Sequence, residues 1–365
     1  MASLRPEARP ARPGFRKAAV LLDSLVASRT AAKVPRPSPF RAASPEMKSI
    51  LIVRLGAMGD MIHALPGAAS LKHSFPEARV TWVVEPRWVP LLADNGFVDR
   101  IVIFRRDDPL SWRRTKDELR SERYDLAVDF QGLTKSALIA HISRAERIAG
   151  FGPRVVRERP AGLFYSTRVP SSAIHVVDQA LDLAAGAGAS NLVRFFPLPA
   201  GAPEGKLPDG PFVLASPQAG WASKQWPLEY YGRLASMIRE KLGLPLVLNG
   251  APGAVPRVAG TLTHESGIPG LIDATRRAAL VIGVDSGPLH LAAALNKSGV
   301  AVFGPTDPVR NGPYGGDFEV FRVSGARTTH RRGTAIDPSM RAITPEQVFA
   351  ALATRVSCHA GVSAR

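Results

Sequence analysis

Short apolar runs alternate with stretches of helical spacing from residue 49 onward, and the alternation runs through twice. In the first round the strand candidates are ILIVRL (residues 50–55), RVTWVVE (79–85), RIVIF (100–104), YDLAVDF (124–130) and RIAGF (147–151). Between them MIHALPGAASLKHSF (61–75) and KSALIAHIS (135–143) carry helical periodicity. A Pro- and Gly-dense stretch, residues 195–211, interrupts the pattern. It resumes as FVLASP (212–217), LEYYGRLASMIREKL (228–242), PLVLNG (245–250), LIDATRRAA (271–279), LVIGVDS (280–286), LHLAAAL (289–295) and VAVFGP (300–305). TPEQVFAALATRV (344–356) closes it as a helix with Thr344 as N-cap before Pro345. Apolar strands alternating with amphipathic helices dictate an α/β fold, each parallel sheet covered by helices on both faces. Two sheets joined by a linker put the natural ligand site in the cleft between them, facing the carboxyl ends of the strands. The expected division is residues 47–200 and 201–345 as two domains, with 346–365 as a C-terminal helix and tail.

Residues 1–46 stand apart, rich in Arg, Pro, Ala and Ser. RKAAVLLDSLVA has the beginnings of a signal peptide, interrupted by Asp23, and an Arg-rich, acid-poor stretch also suits a transit peptide. Because Met47 directly precedes the first strand run, a disordered or misassigned extension is the expected reading. The formal net charge of +16 implies an anionic partner, and residues 1–46 alone, with nine Lys and Arg against three Asp and Glu, supply +6 of it. The body is thus moderately basic. It has no strip of interleaved aromatic and basic residues, so no nucleic-acid partner is expected. The single cysteine, Cys358, excludes an internal disulfide framework and a cysteine-built metal site, and fits a reducing compartment. No apolar run approaches the ~18–20 residues a membrane span needs, so any membrane role is peripheral.

Chemistry-bearing residues collect where strand runs end. In RLGAMGDMIHALP (54–66), Gly56 and Gly59 make a tight turn and Asp60 falls at the start of a helix, where an N-cap role is the simplest reading. The dinucleotide pattern GxGxxG is absent. In SPQAGWASKQWP (216–227), Lys224 stands just ahead of a helix expected near Pro227, within reach of a phosphate, with Trp226 as a packing residue. In GVDSGPLHLAAAL (283–295), Asp285, Ser286 and Gly287 form the turn and Pro288 suits the first helical position. Helix N–H groups there favour an anion, while Asp285 is expected to bond turn amides or ligand hydroxyls and His290 to face the cleft. VFGPTDP (302–308) adds Gly304, Thr306 and Asp307 on the same rim. VDFQGLTKSALIAH (128–141) offers Asp129, Gln131 and Lys135, and FRRDDPLSWRRTKDELR (104–120) offers Arg105, Arg106, Arg113, Arg114 and Lys116. Such charge runs are commonly solvated faces. Opposite a phosphate site they also suit an acidic second substrate.

Taken together, GAMGDMIHALP, YDLAVDFQGLTKSA, KQWP and VDSGPLHLAAAL…VFGPTDP resemble the ADP-heptose–lipopolysaccharide heptosyltransferases, in the form of heptosyltransferase I, over residues 48–352. The resemblance implies a GT-B fold, two Rossmann-like parallel-sheet domains facing each other across a cleft. It implies an inverting transfer that uses neither metal nor other cofactor. Asp60 matches the general base, and Lys224 would neutralise the departing diphosphate. Donor binding falls to Gly59, Ser216, Ser223, Asp285, Ser286, Gly287, His290 and Thr306. Arg105, Arg106, Arg113, Arg114, Gln131 and Lys135 would hold the acceptor's 3-deoxy-octulosonate (Kdo) carboxylates and lipid A phosphates. The implied partners are ADP-heptose and Kdo–lipid A or a related inner-core acceptor, met at the cytoplasmic face of the inner membrane. Departures from the pattern are Ala219 and Gly220, where a hydroxyl pair is expected and Ser216 or Ser223 would substitute, and Ala254, where an acidic residue would hold the donor ribose. The alternatives are the same chemistry with another nucleotide sugar or core position, as in a heptosyltransferase II, or a non-catalytic nucleotide-sugar binder.

Overall fold

Apolar runs this short are stable when covered from both sides, and that is how they are used. The computed structural model describes residues 47–329 and 333–362; residues 1–46 and the side chain of Cys358 lie outside the described residues. The first half contains β1 (Ser49–Val53), α1 (Met58–Ser74), β2 (Arg79–Val84), β3 (Arg100–Ile103), α2 (Ser111–Arg120), β4 (Leu126–Asp129), α3 (Thr134–Ile142), β5 (Arg147–Phe151), β6 (Thr167–Val169) and α4 (Val176–Ala187). The second contains β7 (Val213–Ser216), α5 (Leu228–Leu242), β8 (Leu246–Gly250), β9 (Leu262–Glu265), α6 (Ile268–Arg277), β10 (Leu280–Val284), α7 (Gly287–Ala294), β11 (Ser298–Phe303), α8 (Pro308–Asn311), β12 (Asp317–Arg322), α9 (Pro338–Arg341) and α10 (Pro345–Val362).

The first six strands form one sheet in the order β3-β2-β1-β4-β5-β6, parallel throughout. The other six form a second, β12-β11-β10-β7-β8-β9, also parallel. Counted from its own first strand, each sheet has the same doubly wound order. Strand order reverses between β1 and β4, and again between β7 and β10. Crevices at such reversals, outside the carboxyl ends, are where this architecture binds ligands.

Alternation along β1 assigns its side chains to two layers. Ile50 and Ile52 enter the core formed with Met61, Leu65 and Leu183, whereas Leu51 and Val53 enter the opposite one with Phe104, Ile139 and Tyr165. These four β1 side chains are fully buried, each worth about 2 kcal/mol relative to exposure. The two halves are not separate bodies on a loose tether. Leu271, Ile272, Leu291 and Ala294 of the second half belong to the same apolar cluster as Met61 and Trp88 of the first. Phe196 and Leu198, from the Pro/Gly-rich connection, pack on it too.

Strands β6, β9 and β12, absent from the sequence reading, are sheet edges. β9 and β12 are largely exposed, so their side chains never needed to be apolar. The helix ends follow the sequence closely. Gly243, with φ of 67°, ends α5 in the left-handed conformation. Thr344 caps α10 in a reciprocal box: its N–H donates to Gln347 Oε1 at 2.9 Å, and its hydroxyl accepts from the Gln347 N–H at 3.4 Å. Trp226 is buried, with its Nε1–H donating to the Ile343 carbonyl at 2.9 Å. Among the described residues no helix is long and apolar enough to cross a membrane.

Asp129 is a structural acid. Its Oδ1 accepts from the N–H groups of Gln131 at 2.8 Å and Gly132 at 3.2 Å, and its Oδ2 from the hydroxyls of Ser136 at 2.8 Å and Tyr165 at 2.7 Å. Burial pushes its carboxyl above the usual range, against those four donors. Asp129→Ala should therefore lower stability by about 3 kcal/mol in urea unfolding, because buried donors lose their acceptor. Asp129→Asn, whose amide still offers one oxygen and whose hydroxyl neighbours can rotate, should recover part of that loss.

Candidate active site

The chain leaves β1 through Arg54 and Leu55, turns at Gly56 and enters α1. Asp60 lies in the first turn of α1 but is not its cap: the cap position is Ala57, and no side chain fills it. The carboxylate is held instead by two guanidinium groups, Oδ2 at 2.5 Å from Arg54 Nη2 and Oδ1 at 3.0 Å from Arg157 Nη2. Arg54 is itself almost fully buried and anchored, its Nη1 donating to the Phe130 carbonyl at 2.9 Å. Burial works against ionisation of Asp60; Arg54 and then Arg157 outweigh it and hold the carboxyl well below the ordinary range. Burial also lowers Arg54, to about 10, despite the adjacent carboxylate, so it remains charged at neutral pH.

The two glycines of this turn serve a purpose other than the one their residue type implies. Neither Gly56 nor Gly59 has a positive φ. A Cβ at Gly56 would fall 2.3 Å from Trp88 Nε1, and one at Gly59 would fall 2.5 Å from His290 Cδ2. Close approach requires them, not backbone conformation.

Facing this turn is the end of β10. Asp285 Oδ2 lies 2.6 Å from Lys224 Nζ and Oδ1 lies 3.4 Å from His290 Nε2, so the carboxylate takes two side chains rather than the turn amides. The reason is the loop after β7, which carries Lys224 to the same crevice. Burial opposes ionisation of Asp285, and His290 together with Lys224 overrides it, keeping the carboxyl well below its usual range. Lys224 Nζ also stands 4.3 Å above the Trp221 ring. Ser286 occupies the N-cap position of α7 without capping it. Gly287 lets α7 approach α1: a Cβ there would meet the Met58 side chain at 2.7 Å.

Both ends open on one cleft of about 780 Å³, lined by Gly59, Asp60, Lys224, Asp285, Ser286, Gly287, His290 and Thr306 among others. Several polar atoms here lack a protein partner although buried: both ring nitrogens of His63, Nδ1 of His290, and the hydroxyls of Ser286 and Thr306. Polar groups of this kind along a cleft are available to bond a ligand. A smaller cavity adjoins it, walled by Arg54, Asp60, His63, Gln131, Arg157 and Arg310. Among the described residues no group of three His, Cys, Asp or Glu side chains is arranged to hold a metal ion.

Of the other sequence candidates only Gln131 reaches the adjoining cavity, and the rest lie elsewhere. Ser216 is buried at the end of β7, and Ser223 is buried, its hydroxyl without a partner; neither is among the cleft-lining residues, where Gly220 and Trp221 stand. Gln131 is buried, its Oε1 accepting from the Leu55 N–H at 2.8 Å. Arg105 and Arg106 line a separate depression on the rim of the first sheet, where Arg106 pairs with Glu85 at 2.6 Å. Arg114 pairs with Asp108 and Arg113 with Asp117. Lys135 Nζ stands 5.9 Å above the Phe104 ring. Sequence reasoning missed Arg54, His63, Arg157, Arg310 and Trp221. A charge ending an apolar strand run was a usable signal for Arg54, and helical spacing from Asp60 was one for His63. Arg157, 97 positions from Asp60, carried none.

The model of glycosyltransferase family 9 (heptosyltransferase) matches residues 112–336. Lipopolysaccharide heptosyltransferase 1 of Pseudomonas aeruginosa is 30% identical over 294 residues, 73% of this chain and 81% of that protein. The protein of the same name from Escherichia coli K12 is 28% identical over 306 residues, 75% of this chain and 93% of its own length. The structure of E. coli heptosyltransferase WaaC with ADP superposes with a TM-score of 0.68 at 22% identity, covering 84% of this chain and 99% of that one. That of E. coli ADP-heptose lps heptosyltransferase II gives 0.68 at 21%, covering 86% and 99%. At such identities the superpositions establish the fold, two doubly wound domains as in GT-B enzymes.

Because the folded-state pKa of Asp60 is depressed, the stability it contributes is present above the unfolded value, about 4, and is lost as pH falls toward the folded value. Asp60→Asn leaves Arg54 buried without its counter-charge and should cost about 3 kcal/mol at pH 7. The gap to wild type in denaturant unfolding should narrow below about pH 4.

Proposed function

The chain belongs to glycosyltransferase family 9, the heptosyltransferases, and from that premise we propose that it transfers heptose from ADP-L-glycero-D-manno-heptose to the Kdo region of a lipopolysaccharide inner core. The transfer inverts the anomeric centre without a metal, and Asp60 is the general base. The half spanning 47–200 takes the acceptor and the half spanning 201–345 takes the nucleotide sugar.

The observation that carries this reading is the pairing of two unlike sites across one cleft. On one side stands a carboxylate that remains ionised through the neutral range. On the other stands a lysine fixed by Asp285, beside the uncapped start of α7. The acceptor hydroxyl attacks the anomeric carbon while its proton passes to Asp60, and the bond from that carbon to the diphosphate breaks, its electron pair leaving with ADP. Negative charge then grows on the departing diphosphate. Lys224, the Ser286 hydroxyl and the N–H groups of the first turn of α7 are suited to receive it. Asp285 does not face the phosphates directly; it orients Lys224 and His290. Thr306 offers a buried hydroxyl with no protein partner to the same ligand. Arg105, Arg106, Arg113 and Arg114, on the rim of the first sheet, suit the outlying anionic groups of a lipid-borne acceptor met at the inner-membrane surface. The names of the relatives, lipopolysaccharide heptosyltransferase 1, support this acceptor step over a later one.

The test is ADP release from ADP-heptose with Kdo–lipid A as acceptor. Wild type should turn over equally with and without EDTA. Asp60→Asn should lose about 10²–10⁴-fold in kcat, and Lys224→Met about 10²-fold or more. Release only with a different ADP-sugar or a heptosylated acceptor would move the assignment within the family. Release with none would leave a nucleotide-sugar binder.

A further inference from the structure

The two guanidinium groups on Asp60 are not equivalent, and the difference has a chemical use. Arg54 is 4% exposed and tied to the Phe130 carbonyl as well as to Asp60 Oδ2, so it cannot leave. Arg157 is 45% exposed, lines the cleft and holds Oδ1. Its backbone is pinned: the Val156 N–H donates to the Gly152 carbonyl and the Glu158 N–H to the Gly132 carbonyl, each at 3.0 Å. The Glu158 carboxylate accepts from the Thr134 N–H at 2.8 Å. Only the long side chain is free to change partner. It reaches both the inner cavity, beside Gln131 and Arg310, and the cleft that holds Lys224 and Asp285. An Asp60 charge-paired at both oxygens is a weaker proton acceptor than one paired at Oδ2 alone.

We propose that Arg157 gates the base: until the acceptor binds it masks Asp60 Oδ1, and an anionic group of the acceptor, by taking Arg157 as its own counter-ion, frees that oxygen to receive the proton of the attacking hydroxyl. The charged and titratable groups facing Asp60 are Arg54, Arg157, His63 and, more remotely, Arg310, and of these Arg157 is the exposed arm that meets Oδ1. The gate has a purpose. With the nucleotide sugar bound and no acceptor, water occupies the attacking position; an unmasked carboxylate would take a proton from it, the oxygen of water would bond to the anomeric carbon, and ADP would leave with the electron pair of the broken bond. Masking suppresses this hydrolysis. The anion that lifts the mask comes from the acceptor, not from the donor diphosphate, for which Lys224 already stands ready. Arg157 is thus a positioning residue that makes base strength conditional on the charge of the acceptor.

This inference rests on the proposed transferase reading, and one assay separates the two. ADP release from ADP-heptose is measured with and without Kdo–lipid A for wild type, Arg157→Met and Arg157→Lys. Wild type should release ADP rapidly with acceptor and slowly without. Arg157→Met, similar in length but uncharged, should raise acceptor-independent release on the order of tenfold while transfer falls by a similar factor; a gain of this kind cannot come from misfolding. Arg157→Lys should keep hydrolysis low and recover part of the transfer. If Arg157→Met hydrolyses no faster than wild type, or if both variants hydrolyse equally fast, the gate is overturned while acceptor-dependent release by wild type keeps the transferase reading; if wild type releases ADP as readily without acceptor as with it, both fall. If wild type releases no ADP under either condition, the transferase reading falls and the gate with it.

Discussion

The packing of the start of α1 against the start of α7 is the contact on which everything functional in this protein depends. It joins the two sheets directly, glycine to side chain in both directions, Gly59 under His290 and Gly287 under Met58. His63 and His290 extend it one turn deeper, with ring centroids 4.3 Å apart. Each helix follows the strand at its sheet's reversal of order, so bringing the two helix starts together brings the two crevices together. Asp60 and the Lys224–Asp285 pair face one cleft because of this contact. A methyl group at either glycine would wedge the halves apart where they pack closest.

Charge is handled in the same economical way on both sides. Each half sets one carboxylate at its crevice and pairs it with basic side chains, Arg54 and Arg157 for Asp60, Lys224 and His290 for Asp285. Desolvation opposes the ionisation of either acid, and its partners outweigh it. The surplus at the first crevice is cationic, with Arg310 close by. A site with more guanidinium groups than carboxylates is matched to a ligand that brings its own negative charge, which fits a phosphorylated donor and an acidic acceptor alike.

Much of this was legible beforehand. The apolar runs became strands and their order in the chain implied two parallel sheets. The stretches at their carboxyl ends contain the residues that meet in the cleft. Some readings of single residues went astray for identifiable reasons. Asp60 reads as an N-cap, but the helix is capped three residues earlier, at Ala57, which leaves the carboxylate to Arg54 and Arg157. Gly56 and Gly59 look like turn glycines; the constraint on them comes from Trp88 and His290, which no local pattern reveals. Arg157 was invisible because nothing in PRVVRERP distinguishes it from a surface arginine. Strands β9 and β12 were missed because an exposed edge strand pairs through its backbone and leaves its side chains unconstrained.

The sequence by itself determined the class of fold, the two rounds of strand and helix and the kind of residue at each crevice, because burial and helix capping act over a few neighbouring positions. Tertiary structure decided which charges meet: Asp60 with Arg157, Lys224 with Asp285, α1 with α7. Ion pairing and close packing are set by distance in space, and here the partners are 97 and 61 positions apart in the chain. Local pattern names the groups; only the folded sheets bring them within reach of one another.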